Sequence, residues 1–278
     1  MVWATNPAPQ STSLLAGEEV EYVPYVAPRD WVTVLRNTTA AQRIIRRHDV
    51  TRMYTTGAGI ALSFLPVARA MGVECHYVES AARTDGPSVT GRIAALIPGV
   101  STYTQYETWT SPTWRRAPSV FDGFAAAARH DPPQRLKVVV TVGTIKYPFR
   151  ALFERLLDVL PPDADVLWQT GSTPVDGLPL RAAPSLPHAD LLSAMRGADV
   201  VVAHAGIGSA LASLEAGRAP LLVPRRESRG EHVDDHQVQI AKDLHSRGLA
   251  VHVEVHALDG VALGAVAGLQ VAAHGGIR

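Results

Sequence analysis

The sequence has little cysteine, no excess charge of either sign and no long apolar run. Its 278 residues include a single cysteine, Cys75, which excludes a disulfide scaffold and a multi-cysteine metal site and favours a reducing, cytoplasmic setting. Lys plus Arg and Asp plus Glu number 26 each, so the formal net charge is zero and nothing indicates a nucleic-acid partner. The longest uncharged stretches, 57–68 and 260–273, fall short of the roughly 20 apolar residues of a membrane span. We therefore expect a cytoplasmic protein that is at most peripheral at the inner face of the membrane.

The carboxyl-terminal half alternates short β-branched runs with helical patterns. This alternation is typical of βαβ units over a parallel sheet, and it predicts an α/β fold. Strands are predicted at 136–142, 165–169, 199–203, 220–223 and 250–255, and helices at 149–160, 188–196, 207–216 and 234–247.

The amino-terminal half shows a weaker pattern of the same kind. At roughly 150 residues per domain, the chain length itself is enough for two domains. A proline-rich connector at 111–134, built around a predicted helix at 121–129, separates the two halves. We place the boundary at Pro132-Pro133, which gives domains 1–131 and 132–278. The predicted elements before the connector are strands at 51–55 and 73–78 and helices at 36–48 and 60–71.

The segment from His204 to Ser209, His-Ala-Gly-Ile-Gly-Ser, links a predicted strand to a predicted helix. Gly206 and Gly208 would let the backbone approach a ligand closely. The free N–H groups and the dipole of a helix start favour a phosphate or pyrophosphate, and Ser209 adds a hydroxyl donor. A turn that needs its glycines only for geometry is the alternative.

A second polar segment, residues 230–237, follows the next strand, which ends at Pro224-Arg225. Ligands of open α/β sheets bind beyond the carboxyl ends of the strands, so both segments should lie on one rim. A nucleoside diphosphate with a hydroxyl-rich substituent would suit this rim. The alternatives are a solvated helix start capped by Asp234 or Asp235, and a metal site from Glu231, His232, Asp235 and His236, whose spacing matches no specific metal motif.

The runs HAGIGS, EAGRAPLLVPR and GEHVDDHQ resemble the C-terminal domain of glycosyltransferase family 28. Thr141-Val-Gly-Thr144 and Gln169-Thr-Gly171 extend the resemblance over residues 136–255. It implies the GT-B architecture of two Rossmann-like domains and an inverting, metal-independent transfer of a hexosyl group from a UDP-sugar, with N-acetylglucosamine as the expected sugar. The UDP-sugar is then a substrate, and no cofactor is expected. The predicted donor-binding residues are Thr144, His204, Ala205, Gly206, Gly208, Ser209, Glu215, Arg225, Glu231, Asp235, His236 and Gln237.

Residues 14–110 resemble the acceptor-binding, membrane-recruiting subunit that works with such catalytic domains, as if the two were fused. This implies a lipid-linked or polysaccharide-precursor acceptor, polyprenyl-linked at a membrane surface, and it leaves a partner chain or a homodimer open. The family's first strand and its Gly-Gly-His turn have no counterpart in this sequence, so we expect an incomplete first domain. Glu215 would replace the family's ribose ligand only if its helix were shifted.

An inverting transfer also requires a base for the acceptor hydroxyl. Glu79 and Glu107 are the candidate catalytic residues, and an ordinary loop carboxylate is the alternative for Glu79. Two other functions stay open: transfer to a soluble natural product, and a non-catalytic module that binds nucleotide sugars.

Overall fold

The structure is a computed structural model that describes residues 1–27, 30–127, 131, 134–144, 147–232 and 234–274. The chain divides into two compact units, Met1–Ser119 and Val120–Arg278. No helix within the described ranges is long and apolar enough to cross a membrane.

The first unit contains two separate parallel sheets. One sheet has two strands in the order β1-β2, and the other has four in the order β3-β4-β5-β6. The helix α2 begins where the Asp30 carboxylate accepts a hydrogen bond of 3.0 Å from the Thr33 backbone N–H, which caps the helix. The elements are β1 Trp3–Thr5, α1 Pro9–Leu14, β2 Val20–Tyr22, α2 Trp31–Arg47, β3 Arg52–Thr55, α3 Ala58–Ala70, β4 Glu74–Val78, α4 Val89–Ala95, β5 Val100–Thr104 and β6 Trp114–Arg116.

The second unit is built on a six-stranded parallel sheet in the order β10-β9-β8-β11-β12-β13. A short antiparallel pair joins β7, which precedes this sheet in the chain, to β14, which follows it. The elements are β7 Phe124–Ala126, β8 Lys137–Thr141, α5 Arg150–Val159, β9 Asp165–Gln169, β10 Ala182–Ala183, α6 His188–Arg196, β11 Val200–Ala203, α7 Ile207–Glu215, β12 Leu221–Leu222, α8 His236–Ser246, β13 Val251–His252, α9 Gly260–Val266 and β14 Val271–Ala273.

Strand β8 shows why this sheet is buried on both faces. Successive side chains of a strand point to opposite faces. Val138 and Val140 join one apolar cluster with Phe153 of α5, whereas Val139 joins another with Met195 of α6. Helices therefore cover both faces, and the functional groups can reach solvent only at the ends of the strands.

The predicted helices and strands of the second unit agree with the structure except at some ends, and three differences come from pairing between distant segments. The predicted helix at 121–129 is wrong, because Phe124–Ala126 forms β7 and pairs with β14. That pairing also places residues from Val120 onward in the second unit, before the proline pair. Pro132 and Pro133 themselves lie outside the described residues. The sheet has six strands rather than five because Ala182–Ala183 adds β10 at its edge.

Candidate functional site

The loops that follow β8, β9 and β11 meet at one end of the parallel sheet of the second unit. Gly171, with φ of +58°, lies so close to the loop after β8 that a Cβ atom there would come within 2.3 Å of the Gly143 carbonyl oxygen. Gly143 has φ of +68°, and a Cβ atom on it would come within 2.7 Å of the His204 ring. Glycine at these two positions therefore brings the loops together around His204.

The His204 imidazole is enclosed by this loop cluster. Its side chain is buried, and no partner within the described part of the chain reaches Nδ1. Burial, and next the positive charge of Arg225, lower its pKa to about 3. At neutral pH the ring is therefore uncharged, and it can donate or accept a hydrogen bond but cannot act as a cation.

Helix α7 begins directly after His204 with an open amino terminus. Its N-cap is Gly206, which has no side chain to accept from the first N–H groups. A Cβ atom on Gly206 would lie 2.4 Å from His204 Nε2, whereas one on Gly208 would meet no atom within 4 Å. Gly206 thus makes room for the imidazole, and Gly208 leaves the helix start bare toward solvent. With Ser209 at the third helical position, this start can receive an anion.

Arg225 places a positive charge inside the same cluster. Its side chain is 1% exposed, its Nη2 donates a 2.9 Å hydrogen bond to the Val142 carbonyl, and its guanidinium lies 5.3 Å from the centre of the Phe149 ring. Within the described ranges, Nε and Nη1 are buried and have no hydrogen-bond partner. Burial lowers the pKa of Arg225 to about 10, so the group stays charged at neutral pH. A buried cation with two unused donors is costly unless an anion binds it.

The polar residues of the segment after β12 hold the loop in place. The Gln237 side-chain oxygen accepts 3.0 Å from the Arg225 backbone N–H, and Glu231 accepts 2.9 Å from the Arg226 backbone N–H. The Asp235 carboxylate accepts 3.0 Å from the Glu227 N–H. Gln237 therefore holds the Arg225 backbone, while Glu231 and Asp235 hold the two residues that follow it. The predicted contacts of these side chains with a sugar stay predictions.

Three residues just before and at the start of α8 form a small titratable cluster. One ligand atom each of His232, Asp234 and His236 lies within 4.8 Å of the others, so the set could hold a metal ion. The metal set considered from the sequence does not assemble, because Glu231 and Asp235 are bonded to the loop backbone. His236 Nδ1 is hydrogen-bonded to Asp234, and the His232 ring lies 5.5 Å from that of Tyr147.

Other predicted site residues are placed differently. Glu215 is the last residue of α7 and is exposed. At 1.5 Å of rise per residue it lies about 9 Å along the axis from Ser209, and its role as a ribose ligand stays a prediction. Ala205 is fully buried, and Thr144 is exposed beyond β8.

The two carboxylates predicted as catalytic lie in the first unit. Glu79 is 2% exposed and accepts hydrogen bonds from the backbone N–H and the hydroxyl of Ser88, at 2.9 and 3.0 Å. It also accepts from the Ser80 N–H at 3.0 Å and the Tyr77 hydroxyl at 3.3 Å. These four bonds favour the loop-carboxylate interpretation of Glu79. Glu107 is exposed and 3.6 Å from Arg116, and its catalytic role stays a prediction.

Some of the site was not found from the sequence. The Val142 carbonyl and the Phe149 ring both contact the Arg225 guanidinium, and Glu254 forms a two-bond ion pair with Arg226 at 2.7 and 3.2 Å. Phe149 begins a helix predicted from the sequence, but its contact with Arg225 depends on how β8 and β12 are brought together in one sheet. No local pattern carries that information.

Comparison with known proteins agrees with this architecture. Residues 137–261 match the family model described as the glycosyltransferase family 28 C-terminal domain. No curated protein sequence matches the chain.

Among solved structures, MurG of Acinetobacter baumannii has a TM-score of 0.61 at 19% identity, covering 95% of this chain and 79% of that one. The glycosyltransferase SnogD from Streptomyces nogalater has a TM-score of 0.58 at 16% identity, covering 96% and 90%. MnaA of S. aureus, solved with UDP, has a TM-score of 0.53 at 11% identity, covering 94% and 93%. At these identities the likeness concerns the fold, and it confirms the α/β, GT-B class expected from the sequence.

Proposed function

We propose that this protein is a glycosyltransferase that transfers a hexosyl group from a nucleoside diphosphate sugar, with UDP-N-acetylglucosamine as the donor. The observation that carries the proposal is the buried Arg225 guanidinium, which has two unused donors in the loop cluster beside the start of α7. The match of residues 137–261 to a glycosyltransferase domain supports the same reaction class.

The diphosphate is the group that this site suits best. Two unused donor nitrogens of Arg225, the bare start of α7 and the uncharged His204 ring supply hydrogen bonds and positive potential without a full charge on the imidazole. The structure of MnaA with UDP, which shares the fold, favours uridine as the nucleoside of the proposed donor.

The same groups can assist the reaction. Negative charge develops on the departing diphosphate as the bond to the sugar breaks, and donors fixed in a buried site stabilise that charge more than solvent does. His204, whose pKa is about 3, would serve as a hydrogen-bonding group and not as a proton donor. We propose that the acceptor is lipid-linked or a polysaccharide precursor. We also propose that transfer inverts the configuration at the anomeric carbon of the sugar and needs no metal ion.

This function is tested by measuring the UDP released from UDP-N-acetylglucosamine in the presence of different acceptors. We expect turnover when a polyprenyl diphosphate-linked sugar is supplied, little with a panel of soluble small molecules, and no loss of turnover in EDTA. Preference for a soluble acceptor would move the assignment to the natural-product class. UDP binding without turnover on any acceptor would favour a non-catalytic module. A requirement for metal would direct attention to His232, Asp234 and His236.

A further inference from the structure

Two imidazoles and a carboxylate converge between the end of β12 and the first turn of α8. They belong to His232, Asp234 and His236, and one ligand atom of each lies within 4.8 Å of the others. Among the residues that the structure describes, no other three His, Cys, Asp or Glu side chains meet this spacing. The convergence therefore needs a physical explanation.

Hydrogen bonds at the start of α8 explain two of the three positions. Asp234 Oδ1 is hydrogen-bonded to His236 Nδ1, and it accepts from the His236 backbone N–H at 3.4 Å. These contacts are those of a carboxylate at a helix start. They leave out His232, whose Nδ1 lies 3.6 Å from the same Asp234 oxygen, which is too far for a hydrogen bond.

His232 is the member of the group that helix capping does not explain. Its side chain is 9% exposed, and its Nδ1 is buried with no hydrogen-bond partner in the described part of the chain. The Tyr147 ring lies 5.5 Å away, and the His236 ring lies 4.6 Å away and nearly perpendicular to it. A buried nitrogen without a partner is costly. A metal ion held by Asp234 as well would give this nitrogen a partner.

The spacing of the ligand atoms suits a small four-coordinate ion. Zn²⁺ takes imidazole nitrogen and carboxylate oxygen at about 2.0–2.2 Å, and ligand atoms placed tetrahedrally at that distance are about 3.3–3.6 Å apart. The separation of His232 Nδ1 and Asp234 Oδ1 is 3.6 Å. The side chains of Asp234 and His236 are 32% and 21% exposed. An ion and a water ligand can therefore enter from the solvent side, and the hydrogen bond between these two side chains opens as the ion binds.

The chemistry of the ligands decides the class of ion. Mg²⁺ and Ca²⁺ bind through oxygen, whereas imidazole suits zinc and other divalent transition metals. Burial, and then the charges of His236 and Arg225, lower the pKa of His232, so the Arg225 cation acts on this group as well. One carboxylate facing an arginine cannot hold a hard cation by charge alone. Bonds from the two imidazoles must supply the affinity.

We propose that His232, Asp234 and His236 bind one divalent transition-metal ion of the zinc class, with water completing its coordination. The ion joins the buried His232 to the first turn of α8. It takes no part in the proposed sugar transfer, so turnover that is unaffected by EDTA is compatible with this site. The inference does not depend on the proposed function, and its test needs no nucleotide.

A metal titration of the whole chain tests the proposal. The protein is stripped with EDTA, freed of the chelator and titrated with Zn²⁺ in a calorimeter. Co²⁺ is the spectroscopic probe, because its visible absorption is strong in four-coordinate sites. We expect one tight Zn²⁺ site per chain with a Kd below about 10 μM, and the Co²⁺ bands should disappear when Zn²⁺ is added. Excess Mg²⁺ should displace neither ion.

Matched variants identify the ligands. His232→Gln removes a nitrogen ligand and Asp234→Asn removes the carboxylate, so each should bind Zn²⁺ at least tenfold more weakly. The exposed control His256→Gln should bind like the original protein. If a variant fails to fold, hydrogen exchange on the unaltered protein decides, because Zn²⁺ should slow the amides of Asp234, Asp235 and His236.

Three results would overturn the proposal. One is the absence of a tight Zn²⁺ site in the original protein. Another is an equal Zn²⁺ affinity of the original protein and a folded His232→Gln protein, because the ion would then bind to other histidines. The third is Zn²⁺ binding that slows none of the three amides.

Discussion

The His204 imidazole lies in a compartment that disfavours its protonated form. Burial and the neighbouring Arg225 charge lower its pKa to about 3, against an ordinary value near 6.5. Above about pH 6.5 the ring is neutral in both the folded and the unfolded chain, so it contributes no pH dependence. As the pH falls below that value, the unfolded chain binds a proton that the folded chain cannot, and the folded state loses stability until about pH 3.

The lowered pKa of His204 predicts how the stability of a single variant depends on pH. Between about pH 6.5 and pH 4.5, His204→Gln should lose less free energy of unfolding than the original protein, by up to about 1.4 kcal/mol per pH unit. Urea unfolding at several pH values measures the two slopes. Exposed His256→Gln is the control, and we expect its slope to match the original. Equal slopes for His204→Gln and the original protein would contradict the assigned burial.

Arg225 shows what residue patterns cannot predict. The sequence predicts that Arg225 follows a strand, and the structure confirms this, because β12 ends at Leu222. Its burial and its two unused donors depend on Val142 and Phe149, which reach it only after β8 and β12 join one sheet. The burial of Arg225 could therefore not be predicted from its sequence neighbours, because it depends on contacts that form only in the folded chain.

Among the helices and strands, α7 begins with two glycines that have different surroundings. The start of this helix was predicted correctly because a valine-rich strand is followed by a glycine turn, and both signals are local in the sequence. From the sequence, Gly206 and Gly208 have the same predicted role, which is to let a ligand approach the backbone. In the structure Gly206 makes room for His204, and only Gly208 faces open space.

The two glycines should consequently respond differently to alanine. Gly206→Ala should lower the free energy of unfolding by about 1–3 kcal/mol, because the added methyl group collides with the His204 ring. Gly208→Ala adds a better helix former in open space, so its stability should be unchanged or up to about 1 kcal/mol higher. If the diphosphate lies against this helix start, Gly208→Ala should still weaken UDP binding. Thermal unfolding and calorimetry separate these effects, and a stable Gly206→Ala protein would contradict the packing described here.

Short elements paired over long distances escaped prediction. The strands β7 and β14 have three residues each, and β10 has two, so none offers a run long enough to show a period of two. The pairing of β7 with β14 joins segments from the two ends of the second unit. Phe124–Ala126 lies in a segment predicted to be a helix. In the structure it forms a strand, because it pairs with the distant strand β14.

At the scale of the whole molecule, the residues proposed to bind the donor all lie in the second unit. A fragment of residues 120–278 should therefore fold and bind UDP with an affinity close to that of the full chain. A fragment of residues 134–278 lacks β7 and leaves β14 without its partner, so its Tm should be lower by at least roughly 2–4 °C. Thermal unfolding and calorimetry of both fragments test this. A longer fragment that fails to bind UDP would mean that the first unit supplies part of the donor site.

We propose that a nucleoside diphosphate binds the buried Arg225 cation beside the start of α7. Calorimetric titration of UDP into the original protein, Arg225→Met and the exposed control Arg181→Met tests it most directly, because methionine keeps an apolar stem near Phe149 but carries no charge. We predict UDP binding by the original and Arg181→Met proteins, and at least tenfold weaker binding by a folded Arg225→Met protein, since a hydrogen bond to a charged group contributes about 1.5–3 kcal/mol. Equal UDP affinities of the three proteins, or no binding to the original up to about 1 mM, would contradict the binding of the diphosphate by Arg225.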